Sequence, residues 1–72
     1  MPTTRDKTVV YPGQALYDVE ETVVVLRLSR RYLYEQIRSG RLRSVKAGRA
    51  RRVPASAIAE YVALLEREGQ SV

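Results

Sequence analysis

The sequence predicts a mainly α domain with a small β-hairpin, arranged as a winged helix-turn-helix. Three observations predict it. Two short segments with helical spacing, Val19 to Leu26 and Arg30 to Ser39, are separated by only a short turn. Between Leu42 and Val53 the apolar period changes toward two, around a turn glycine. Residues 27–52 hold ten cations against the single acid Glu35, a bias that points to a polyanionic partner.

Taken in order, residues 1–15 show no sustained period and are punctuated by Pro2, Pro12 and Gly13. They are expected to form a flexible N-terminal arm, although Thr8–Tyr11 alone could make a short strand. The folded domain is expected over residues 16–68, with a tail at 69–72. Asp18 is a good N-cap for the first helix, and Glu21 completes a capping box. The acids Glu20 and Glu21 lie in the first turn, where the helix dipole favours them. Val19, Val23 and Leu26 form an inward stripe. Val23-Val24-Val25 read alone favours a strand, but the cap and the spacing outweigh it.

Ser29 is the N-cap of the second helix, Arg30 to Ser39. Leu33 and Ile37 point inward, and Gly40 ends the helix as the residue free to turn left-handed. Leu42 to Val53 then forms a hairpin with "AGRA", Ala47–Ala50, at its tip. Pro54 ends the hairpin and suits the start of a last helix, capped by Ser56 or Ala55, that runs to about Glu68. Its apolar face is Ile58, Tyr61, Val62 and Leu65, and Gly69 is its stop.

Composition narrows the function. The 72 residues suffice for one small domain, without a deep pocket. Cysteine and histidine are both absent, which excludes disulfides, Cys/His zinc sites and Cys or His catalysis. No phosphate loop and no acid–base pair is visible, so an enzyme is not expected. No cofactor, metal or small-molecule ligand is implied. No run approaches a membrane span, and the N-terminus lacks a signal-peptide core. The expectation is a soluble domain of the cytoplasm. The net charge is +5, but residues 27–52 carry +9 and the remainder −4.

Leu33, Ile37, Leu42, Val45 and Val53 are spaced as a core, so the basic stretch is folded rather than a tail. The cations fall between them. Ser29, Arg30, Arg31, Tyr32, Glu35 and Arg38 make the expected recognition-helix face. A helix about 10–12 Å across fits the major groove, where arginine reads guanine through two hydrogens. Arg30 and Arg31 are expected at base edges or phosphates, and Tyr32 at a phosphate or a thymine methyl. Glu35 either accepts from cytosine or pairs with Arg31 or Arg38. Arg38 is expected to clamp a phosphate, and Tyr34 to pack under the hairpin. On the wing, Arg49 at the tip with Lys46, Arg51 and Arg52 beside it is expected on phosphates or in a narrow minor groove. Arg41 and Arg43 are further candidate phosphate contacts. Val24, Val25 and Leu64 exceed what so small a core can hold; they are either scattered exposure or a contact patch for another protein molecule.

The stretch "LYDVEETVVVLRLSRRYLYEQIRSGRLRSVKAGRARRVPASAIAEYV", Leu16–Val62, resembles the excisionase-type DNA-binding domain, related to the winged helix of MerR-like regulators. Asp18, Glu21, Ser29-Arg30, Leu33-Tyr34, Ile37, Gly40, Leu42, Lys46, Gly48-Arg49, Arg52-Val53-Pro54 and Ile58 carry the resemblance, over about two thirds of the chain. It implies a recombination directionality factor of a mobile element such as a bacteriophage. Such a factor binds neighbouring sites in double-stranded attachment DNA, bends it and directs an integrase toward excision, without chemistry of its own. The same domain also serves small transcription regulators. Three positions depart from the pattern. Arg27 stands where glycine is usual, and either strains the turn or ends the helix differently and reaches a phosphate. Thr22-Val23 replaces the usual small pair and alters helix packing. Arg51 replaces a common aromatic and either repacks the hairpin or adds a DNA contact.

Overall fold

A computed structural model describes residues 14–70. It orders them as strand β1 (Leu16–Tyr17), helix α1 (Val19–Leu26), helix α2 (Arg30–Ser39), strands β2 (Val45–Ala47) and β3 (Ala50–Pro54), and helix α3 (Ala55–Gln70). This is the expected winged helix-turn-helix, mainly helical. The Thr8–Tyr11 segment lies outside the described residues.

Both helices of the pair start and stop where their caps direct. The Glu21 amide donates to Asp18 Oδ1 at 2.7 Å, and the Asp18 amide donates to Glu21 Oε1 at 2.9 Å. These bonds satisfy two backbone N–H groups that the helix start would otherwise leave unpaired. The Tyr32 amide donates to Ser29 Oγ at 3.1 Å and begins α2. Gly40, at φ 87°, ends it, and the Gly40 amide donates to the Ile37 carbonyl at 3.1 Å. Arg27 ends α1 at φ 59° and ψ 39°, the left-handed conformation that glycine adopts freely. It is the one non-glycine residue with positive φ among the described residues. The turn is therefore made with a strained arginine.

The sheet order is β1-β3-β2, antiparallel throughout. The β2–β3 hairpin is the wing, with Gly48 at φ 66° opening its two-residue turn. β1 was not expected. Leu16 pairs with Pro54 and Tyr17 with Val53, and the Ala55 amide donates to the Ala15 carbonyl at 2.9 Å. Two residues are too few for an alternating pattern to declare a strand. That bond also uses an amide at the start of α3, so neither Ser56 nor Ala55 caps this helix; Ala55 is already its first residue.

Leu33, Leu42, Val53, Ala57 and Tyr61 form the buried core, with Val19, Val23, Leu26, Leu28, Ile37, Ile58 and Leu65 packed against it. Two expected core residues are not in it. Val45 is 38% exposed because β2 lies at the sheet edge with nothing over it, and Val62 is 38% exposed on the outer side of α3. Ala57 and Thr22 take buried places instead. Thr22 is fully buried, with its hydroxyl donating to the Asp18 carbonyl at 2.8 Å. α3 also passes through Gly69 to Gln70, because a helix tolerates a glycine at a cost of only about 1 kcal/mol. No helix among the described residues is long and apolar enough to cross a membrane.

Candidate nucleic-acid interface

Leu33, Gln36 and Ile37 turn α2 toward the core, and its opposite face is left to solvent. Arg31 stands furthest out, its side chain 91% exposed, and it pairs with Glu35 at 3.7 Å across one helical turn. Of the two readings of Glu35, the intramolecular pair is the one present in the free molecule. Tyr32, Tyr34 and Arg38 are also exposed. Arg30 lies at the edge of this face. Both of its terminal nitrogens bond the Glu20 carboxylate on α1: Nη1 to Oε2, and Nη2 to Oε1 at 2.8 Å.

An open cleft separates the C-terminal half of α2 from the base of the wing. Tyr34, Ile37 and Arg38 line it from one side, Arg43, Ser44 and Arg51 from the other. Tyr34 thus borders the hairpin, at 42% exposed, rather than being covered by it. On the wing, Lys46 stands directly opposite Arg51. Paired residues on neighbouring strands share a sheet face, and like charges there repel. The pair therefore has cations on one face with no acid opposite. Arg51 Nη1 donates to Ser44 Oγ at 2.7 Å, and Arg52 Nη1 to the Arg51 carbonyl at 3.1 Å. Arg49 occupies the turn beside Gly48, fully outside the sheet. Arg27, Arg38, Lys46 and Arg49 have no carboxylate partner among the described residues.

Arg41 and Arg43 are placed differently from the other candidates. Both turn to α3. Arg41 Nη1 and Nη2 bond Glu68 at 2.8 Å each, and Arg43 Nε bonds Glu60 at 3.0 Å. The hydrogen bond from Arg41 holds the Glu68 carboxyl below its ordinary value, and the bond from Arg43 does the same to Glu60. The same bonds raise the two guanidiniums. These two cations are neutralised within the fold, at sequence separations of 27 and 17 that no local pattern reveals.

Gln36 was missed by sequence reasoning and sits at the joint between α2 and α3. It is 7% exposed. Its Oε1 accepts from the Tyr61 hydroxyl at 3.0 Å and from Arg41 Nε at 2.9 Å, and its carbonyl accepts from the Leu42 amide at 3.0 Å. Burial is the main cause that raises the Tyr61 hydroxyl above its ordinary value. A glutamine on the inward side of an otherwise apolar stripe was the available signal.

A capped helix with its outer face free, followed by a basic wing, defines a DNA-binding winged helix-turn-helix. The chain belongs to the helix-turn-helix domain family, whose model matches residues 16–63. It is 43% identical over 54 residues to a protein of Saccharopolyspora erythraea named "Probable excisionase", a match over 75% of this chain and 55% of the relative. The chain thus spans about half the length of that curated relative. No solved structure matches the chain.

Proposed function

We propose that this protein is a DNA-bending accessory factor of site-specific recombination, which binds attachment-site DNA and directs an integrase toward excision. The observation that carries the reading is the set of cations left without carboxylate partners on α2 and the wing. Among the described residues no carboxylate pairs with Arg38 on the helix or Arg49 at the tip, and Lys46 faces Arg51 across the hairpin. Holding like charges opposite one another weakens a free hairpin. A phosphate backbone relieves that repulsion.

In the proposed complex α2 enters the major groove, with Ser29, Arg30, Arg31, Tyr32 and Glu35 toward base edges and Arg38 on a phosphate. The wing carries Lys46, Arg49, Arg51 and Arg52 to the flanking backbone or minor groove. Arg27 adds a phosphate contact at the turn. Gripping the duplex on both sides of one strand supports bending, because the additional bonds a bent duplex allows offset its elastic cost. Arg41 and Arg43 become phosphate contacts only by leaving Glu68 and Glu60. The likeness to a protein named "Probable excisionase" supports the recombination role; neighbouring copies on the DNA, a cytoplasmic place of action and the absence of catalysis are parts of the same proposal.

The test is footprinting on the element's attachment site, joined to a gel bend assay and a recombination assay with the cognate integrase. A protected, bent site and a shift of products from integration to excision are expected. Protection with unchanged recombination products would overturn the directing role and move the chain to the transcription regulators that share this fold.

A further inference from the structure

Glu20 has no part in the α1 cap, which Asp18 and Glu21 complete between themselves. It lies 60% exposed in the first turn of α1 and reaches across to the first residue of α2. There its two oxygens take the two terminal nitrogens of Arg30, which is itself 58% exposed. Arginine forks a guanine with the same kind of paired N–H groups. While the pair with Glu20 stands, that fork is occupied. The pair is solvent-exposed, so opening it requires no repacking of the core.

We infer that Glu20 is a specificity-determining residue of the DNA interface, acting through Arg30. It positions the guanidinium and withholds it from sequence-independent contacts. A backbone phosphate would have to displace a carboxylate that already makes two charge-assisted bonds and then remains nearby to repel it. The exchange brings little gain at an arbitrary sequence. A guanine edge offers two acceptors without the added negative charge, so the exchange succeeds where the sequence is right. Glu20 thus lowers non-specific binding more than specific binding. The inference rests on the proposed docking of α2 in the major groove.

The experiment titrates a random-sequence DNA duplex and the footprinted attachment-site duplex by fluorescence anisotropy across a salt series. The proteins are the parent, Glu20→Gln, Arg30→Ala, the double variant, and Glu66→Gln, which removes one acid from α3. Glu20→Gln is expected to bind the random duplex roughly 3–10-fold more tightly, with a salt slope steeper by about 0.9, as for one added phosphate contact. Its ratio of specific to non-specific affinity should fall. In the Arg30→Ala background the Glu20 substitution should have no effect. Circular dichroism checks that each variant stays folded. Equal gains for Glu20→Gln and Glu66→Gln would mean that only overall charge matters, and would overturn the inference. So would an unchanged random-duplex affinity, or a Glu20 effect that survives in the double variant. A parent that binds neither duplex would instead overturn the DNA-binding proposal itself.

Discussion

Arg27 occupies a backbone conformation that costs an L-residue roughly 1–2 kcal/mol. Arg27→Gly removes that strain and adds back chain entropy of about 0.5–1 kcal/mol. The net expectation is a stabilisation of about 0.5 kcal/mol, read as a higher denaturation midpoint. The same variant should bind DNA more weakly, with a salt slope shallower by about 0.9, if Arg27 holds a phosphate as proposed. Unchanged DNA affinity would leave the arginine without that role. Inside the domain, Tyr61→Phe leaves Gln36 Oε1 with Arg41 as its remaining side-chain donor. The expected loss is about 1 kcal/mol, seen in urea unfolding. Cap residues were legible because capping is local: Asp18, Glu21, Ser29 and Gly40 each need only the next few residues to act. Gln36 and Thr22 were not, since a polar side chain is buried only when a distant partner or carbonyl completes its hydrogen bonds. Nor was Glu20, which lies ten positions from Arg30 along the chain.

α1 and α2 were readable to the residue, because caps and apolar spacing agreed. The valine run in α1 did not make a strand; the helix is held by its cap and by Val19, Val23 and Leu26 against the core. The wing was readable through its glycine turn, but the exposure of both faces of β2 was not, and Val45 went to solvent. α3 carries two carboxyls whose charge bears on stability against acid. Its Glu60 and Glu68 are held below the ordinary carboxyl value of 4.5 by bonds from Arg43 and Arg41. In the unfolded chain they protonate near that value, whereas in the fold they stay ionised to lower pH. Their pairs therefore contribute fully above it, and the contribution is lost as pH falls through the folded values. The urea midpoint should drop as pH falls past the ordinary carboxyl value of 4.5, and the Glu60→Gln/Glu68→Gln double variant should show a flatter profile. An equally steep profile in that variant would place the acid sensitivity elsewhere. Both pairs are largely exposed, so the effect is small and shrinks in high salt.

The described residues carry exposed cations on α2 and the wing and keep several arginines occupied by their own acids. If four to six phosphates are neutralised on binding, log K against log salt should have a slope of roughly −4 to −5. A slope near −9 would mean that the paired arginines also reach the DNA. Val24 and Val25 are 69% and 49% exposed on α1, while Leu64 is half-buried. For a domain proposed to bind side by side, Val24→Glu should weaken filling of adjacent sites in a gel-shift assay and leave single-site affinity unchanged. Equal losses on both would refute a role for this patch in contacts between copies. β1 adds a property of another kind. The backbone at Ala15–Tyr17 is fastened to β3 and to the first amide of α3, upstream of α1 and α2. Force applied to the chain ahead of Ala15 is therefore delivered to the inner strand of the wing rather than to α2. A pull at that point would act on the wing like a lever, and would shift the proposed wing contacts with DNA without touching α2.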